Sequence, residues 1–273
     1  LYIFTEDKFF PKMPQPQPTR RLWSREELIL AFNLYLKIEY GKIHDQNPDV
    51  IQLGKLIDRT PGSISMRLAN FASIDPFHQE RGVVGLKNGM NQVQPIWDEF
   101  FDNKEELLFQ SEEILAEKEN TSVHSKYKDI LSDLKDLKGE TILREVKTRV
   151  NQCVFRKIVL TNYTNKCAIS GIDIPELLHA SHIIPWSKNE EHRLNPENGI
   201  CFSALYDKAF DKGLIGINAN LQIIFSDSLK KKKDSEYFQK YFAPIENQEI
   251  LKAKKYLPRK EFLEHHLDTI FNK

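Results

Sequence analysis

No stretch of this sequence approaches the roughly 18 consecutive apolar residues that a membrane-crossing helix needs. The opening residues, Leu1 to Arg21, are aromatic and then proline-rich (Pro11, Pro14, Pro16, Pro18), without the basic-then-apolar order of a secretory signal. Both shortages point to a cytoplasmic protein that works away from membranes. Cysteine is scarce: Cys153, Cys167 and Cys201 make an odd number with no Cys-x-x-Cys pair. That fits a reducing compartment, and no structural zinc is expected. A basic excess is also missing, since 39 Lys+Arg balance 39 Asp+Glu. This argues against a dedicated nucleic-acid coat, but not against an enzyme with a small basic face beside acidic ligands. No internal repeat is seen. What the chain does hold is 40% apolar and 29% charged residues over 273 positions, enough for one large folded domain or two modest ones.

The punctuation along the chain divides it into four. Residues 1–21 read as an extended lead-in. Residues 22–102 begin with Ser24 and Glu27, a capping box in which each side chain satisfies an orphan amide at a helix start. Leu28, Ala31, Phe32, Tyr35 and Leu36 then recur at helical spacing. A second helical pattern follows Pro48, and Thr60-Pro61 supplies an N-cap and a first-turn proline for a third helix through Ile64, Leu68 and Phe71. Three short helices with a tight junction before the third suggest a helix-turn-helix-like bundle. Residues 103–145 are charge-dense and helical in period (Leu107, Leu108, Ile114, Leu115, then Leu134 and Leu137), broken around Glu119 to Ser125. They read either as solvated connecting helices or as a dimer-forming arm. From residue 146 to 273 a strand–loop–strand–helix unit is expected, then a mostly helical C-terminal part. The fold class is therefore α+β.

The chemistry-bearing residues sit in that last part. Leu178 to Ile184 reads as a short strand carrying His179 and His182, ended by Pro185. Asn198-Gly199 is a turn signal, and Ile200 to Phe202 a second strand. Ser203 is placed to cap a helix from Ala204 to Lys212, with Gly213 just past its end. Asp207 and Asp211 are four apart on that helix, so their carboxylates share a face. Paired carboxylates facing a histidine-bearing strand can hold a hard divalent cation beside a general base, the two items phosphodiester hydrolysis requires. Each residue also has a plainer use: a hydrogen-bonded core histidine for His182, and a helix-end cap or a Lys208 or Lys212 ion pair for Asp211. Strand alternation turns His179 to the face opposite His182, which suggests a structural residue. Cys167 and Cys201 are expected to pack as small apolar groups.

His179-Ala-Ser-His-Ile-Ile-Pro-Trp, Arg193-Leu-Asn-Pro-Glu-Asn-Gly and Asp207-Lys-Ala-Phe-Asp-Lys-Gly together resemble the HNH (ββα-metal) endonuclease family, of the restriction-endonuclease type. The spacing agrees too: Asn198 lies 16 residues after His182, Asp207 nine after Asn198, and Asp211 four further on. The resemblance implies a C-terminal ββα-metal nuclease module. It implies His182 as general base, Asn198 as the side chain that braces the loop, and Asp207 and Asp211 as metal ligands. One position departs from the pattern: Ser181 stands where many relatives place an Asp or His ligand. The all-oxygen set that remains favours Mg²⁺ or Mn²⁺.

Target selection would then fall to the rest of the chain. The third N-terminal helix offers Ser63, Ser65, Arg67 and Asn70, residue types suited to base contacts in the major groove. The alternative is a docking bundle with Arg67 merely solvated. Arg193, between the two strands, suits either a backbone phosphate or a surface ion pair. The expected partner is double-stranded DNA, cut by a homodimer. Two rival functions remain: a less specific DNA-degrading antiphage effector, and a non-catalytic DNA-binding protein on a nuclease fold.

Overall fold

The structure, a computed structural model, describes residues 21–80, 82, 87–132 and 140–272. The proline-rich lead-in up to residue 20, and Leu134 and Leu137, lie outside the described residues.

The first helix, α1 (Arg25–Lys37), starts with the expected capping box between Ser24 and Glu27. It is buried on nearly all sides, because α2 (Pro48–Leu56), α3 (Pro61–Ile74), α4 (Pro76–Gln79) and α5 (Lys87–Phe100) assemble around it and its neighbours. Phe32 of α1 stacks on Phe71 of α3 at 4.7 Å and on Trp97 of α5 at 5.2 Å. Thr60 caps α3 by accepting from the Ser63 amide, with Pro61 at the first helical position.

The side chains of α3 do not point where the sequence suggested. Arg67 and Asn70 are 7% and 3% exposed. Ile64, Arg67, Leu68 and Phe71 follow one another at three- and four-residue spacing, so the apolar stripe of α3 carries Arg67 inward with it. There its guanidinium donates to Gln92 Oε1 at 2.8 Å and lies over the Trp23 ring at 4.7 Å. Asn70 packs on Gly89, where an added Cβ would come within 2.4 Å of the Asn70 amide. Ser63 stays partly exposed, and the Ser65 hydroxyl is turned inward.

The bundle continues with α6 (Lys104–Lys118), followed by the short α7 (Val123–Lys126). Leu107 and Leu108 are fully buried within this chain. Ser111 accepts from Asn33 of α1, and the buried pair Lys37–Glu112 closes at 3.0 Å. Helix α6 is thus part of the bundle core rather than a solvated connection, and these two leucines are not available to a second copy.

The 23-residue α8 (Glu140–Asn162) runs unbroken past position 145 and joins the two halves of the molecule. Its first half, through Val146 and Val150, packs with Leu131 in a small separate cluster near Phe109 and Tyr127. Its second half, through Val154, Phe155, Ile158 and Val159, lies under β1 (Leu178–His182) and β2 (Gly199–Ser203). Gly199 is required at that crossing, since a Cβ would stand 2.5 Å from Val159 Cγ2.

The two strands pair antiparallel, with Leu178 opposite Ser203 and His182 opposite Gly199. Helix α9 (Ala204–Asp211) packs back on both. Ser203 sits at its N-cap but makes no side-chain cap bond; its amide instead donates to Cys167 Sγ at 3.1 Å. Cys167 is therefore an acceptor as well as a filler. Gly213, at φ +64°, turns the chain into β3 (Ile215–Ile217), which pairs antiparallel with β4 (Ile223–Phe225) as a second hairpin. The helices α10 (Asp227–Lys230), α11 (Glu236–Tyr241) and α12 (Lys260–Thr269) complete the chain, and α12 docks on β3. No helix of the described residues is long and apolar enough to cross a membrane.

Candidate active site

The β1–β2 ribbon and α9 bring the expected residues to one end of the sheet. Along β1, alternation places His179 and Ser181 on one face and His182 on the other. The His182 ring stacks on Phe155 of α8 at 4.4 Å, 14° from parallel, and meets Trp186 edge-on at 5.5 Å. Its Nε2 lies 2.8 Å from the backbone oxygen of Arg193. A carbonyl only accepts, so Nε2 carries the hydrogen and the neutral ring keeps its lone pair on Nδ1. Burial pushes the His182 pKa below the usual histidine value, while the bond to Arg193 and the charge of Asp207 pull the other way without cancelling it.

Asn198 is fully buried behind this histidine. Its Oδ1 accepts from the Ile184 amide at 2.8 Å; its Nδ2 donates to the Ile184 carbonyl at 3.1 Å and to that of His192 at 3.3 Å. One side chain thus ties the chain leaving β1 to the stretch just before Arg193, the residue that holds the His182 ring.

Asp207, in the first turn of α9, is held from β1. The Ser181 hydroxyl donates to its Oδ1, and His179 Nδ1 lies 3.8 Å from its Oδ2. Ser181, the departure from the expected ligand pattern, therefore orients the helix carboxylate. His179, expected to be structural, faces that carboxylate with its side chain 49% exposed. The signal was present in the sequence: His179 and Ser181 share a strand face, and a residue two positions from an active-site anchor points the same way. Asp211 follows one turn after Asp207 at the rim of a cleft of about 260 Å³, lined also by His182, Pro185, Lys208, Lys212 and His266. Partial burial and the Asp207 charge raise the Asp211 pKa, with Lys208 and Lys212 opposing.

Asp207 and Asp211 stand one helical turn apart, and the donor set of Asp207, Asp211 and His179 suits a hard to borderline divalent cation. Among the described residues no three His, Cys, Asp or Glu side chains converge closely enough to enclose a metal by themselves. A cation here would complete its shell from water and substrate, as an open catalytic site does.

Residues 167–218 match the family model described as HNH endonuclease. These residues form an HNH endonuclease domain. No curated protein matches the chain. The HNH match opens at Cys167, which accepts the Ser203 amide, and closes in the β3–β4 turn, so it takes in β1, β2, α9 and β3. His182, Asn198, Asp207 and Asp211 all fall inside the HNH domain; Arg67, Asn70, Ser63 and Ser65 lie outside it, on α3.

Arg193 is inside the domain and is engaged by the helical half. Its Nε and Nη2 donate to Glu105 Oε2 at 3.2 and 2.5 Å, and the guanidinium lies 5.0 Å over the Trp186 ring. Of the two expected uses, the ion pair is the one present, with a partner 88 residues away.

Proposed function

We propose that the protein is a metal-dependent endonuclease that hydrolyses phosphodiester bonds of duplex DNA, with His182 as general base. The observation that carries this reading is the bond from His182 Nε2 to the Arg193 carbonyl, which leaves Nδ1 as the basic nitrogen of a ring already biased toward neutrality. In this reading Nδ1 takes the proton from an attacking water as its oxygen bonds to phosphorus and the 3′ oxygen leaves. Asn198 keeps the ring-bearing loop in register. Asp207 and Asp211, with His179 at the edge, would hold a divalent cation, Mg²⁺ or Mn²⁺. That cation supplies neutralisation of charge on the phosphate and the leaving oxygen. Ser181 fixes the Asp207 carboxylate for that purpose, and Lys208 and Lys212 make the rim of the cleft attractive to a DNA backbone.

Two finer roles differ in how the DNA is chosen. A restriction-type enzyme cutting foreign DNA needs a base-reading surface, and Arg67 and Asn70 were its candidates. Their burial against Trp23, Gln92 and Gly89 favours the second role, a nuclease of low sequence preference that degrades DNA broadly. Cutting both strands with one site per chain calls for a pair of copies or two successive encounters. With Leu107 and Leu108 buried internally, a pair would use another face.

The test is a plasmid panel, unmodified, methylated and hydroxymethylated, incubated with Mg²⁺, with Mn²⁺ or with a chelator. The proposal expects cation-dependent nicking and linearisation, lost together with Mn²⁺ binding in Asp207→Ala. Unchanged cleavage by Asp207→Ala, or cleavage in chelator, would overturn it. A discrete fragment pattern or dependence on modification would restore the restriction role.

A further inference from the structure

We infer that Glu105, on the helical half of the molecule, is a positioning residue for His182, acting through Arg193. This rests on the reading of His182 as general base. The chain of contacts is short and each link is directional. Glu105 Oε2 accepts two charge-assisted hydrogen bonds from the Arg193 guanidinium, one from Nε and one from Nη2, which fix its orientation. The backbone oxygen of the same residue accepts from His182 Nε2 at 2.8 Å. Trp186 lies between the two, under the guanidinium at 5.0 Å and edge-on to the imidazole at 5.5 Å.

Both ends of this link are well anchored. The Glu105 carbonyl accepts from Asn151 of α8 at 3.1 Å, which ties the start of α6 to the helix that also carries Phe155 under His182. On the other side, Asn198 holds the His192 carbonyl, one residue before Arg193. Asn198 therefore braces the loop from within the HNH domain, and Glu105 braces it from outside. The loop from Lys188 to Asn195 has no strand or α-helix of its own to hold it. Without Glu105, a charged side chain that is 15% exposed loses its principal acceptor, leaving Glu190 at 3.8 Å on the surface. The carbonyl that sets the imidazole tautomer is on that same residue. The nuclease centre is thus complete only when α6 is docked against it.

The experiment compares wild type, Glu105→Gln, Arg193→Ala, the double variant, and the exchanged pair Glu105→Arg with Arg193→Glu, each as the full chain. None of these substitutions removes the backbone carbonyl, so only its anchoring changes. Nitrogen-15 spectra of the imidazoles report whether His182 stays in the Nε2–H tautomer, a readout independent of activity. Single-turnover plasmid cleavage gives the rate at saturating protein. The account expects a mixed His182 tautomer and a rate about ten- to a hundredfold lower in each single variant, with half-saturation for DNA within about twofold of wild type. The double variant should be no worse than the singles, and the exchanged pair should recover part of the rate. A wild-type tautomer and rate in Glu105→Gln would overturn the inference, as would additive losses in the double variant. Should Arg193→Ala fail to fold, Arg193→Lys, which keeps the charge but not the fork, tests the same link. If His182→Ala itself cut DNA normally, the base assignment would fail while the tautomer spectra still decided the coupling.

Discussion

The backbone oxygen of Arg193 stands 2.8 Å from His182 Nε2, and this contact decides which nitrogen of the ring is free to accept a proton. The same ring is pressed flat on Phe155, so both its tautomer and its tilt are set before any substrate arrives. In the proposed reaction this ring acts when neutral, which makes pH the first lever on the site.

Burial depresses the His182 pKa, so the neutral ring persists to lower pH than in a free histidine. Cleavage at saturating Mg²⁺ should therefore rise with pH on an acidic limb whose midpoint lies below about 6.5, and then level off. A bound cation moves the midpoint further down, because it disfavours the imidazolium. A pH–rate profile with a midpoint clearly above the ordinary histidine value would contradict a buried, neutral base.

Loss of Asn198 should damage fold and rate together. Asn198→Ala removes three hydrogen bonds and leaves the amide and carbonyl of Ile184 buried without their partner. Each such group costs about 1–3 kcal/mol, so a loss of a few kcal/mol is expected in a denaturant titration. Cleavage should slow, while Mn²⁺ binding, which the proposal assigns to α9, should persist. An unchanged denaturation midpoint would show that the brace is dispensable.

His266 provides a separate acid sensitivity. It is 1% exposed, stacks on Phe210 at 3.7 Å, donates from Nε2 to the Phe210 carbonyl, and has a buried Nδ1 without a hydrogen-bond partner among the described residues. Burial lowers its pKa to about 4. The unfolded chain takes up a proton near pH 6.5 and the folded one only near 4, so stability contributed here is full above 6.5 and declines as pH falls through that window. The decline amounts to roughly 3 kcal/mol by pH 4. In His266→Gln the slope of stability against pH between 6.5 and 4 should flatten. An unaltered slope would place the acid sensitivity elsewhere.

The parts of this molecule legible in the sequence were those fixed by near neighbours. The capping box at Ser24 and Glu27, the Thr60-Pro61 helix start, the strand around His182 and the Gly213 turn are all set within a few residues, and each appears where its local chemistry puts it. Asp207 and Asp211 could be placed on one face because helical spacing alone does so. Arg67 shows the limit of that reading. Its side chain suited a DNA base, but its position on the stripe of Ile64, Leu68 and Phe71 sent it inward, and tertiary packing outweighed residue type. The Glu105–Arg193 pair was not legible at all, since nothing local marks two residues 88 apart as partners. Ser181 looked like a missing ligand, and only the structure shows it holding Asp207 in place.

The most direct measurement is the cleavage rate of purified His182→Ala on supercoiled plasmid with saturating Mg²⁺, beside wild type and Asp207→Ala. Removing the imidazole takes away the proton acceptor but leaves Asp207, Asp211 and the lysine rim in place. The account predicts that His182→Ala still binds DNA and Mn²⁺ yet turns over about two to four orders of magnitude more slowly. A near wild-type rate in His182→Ala would contradict the central assignment.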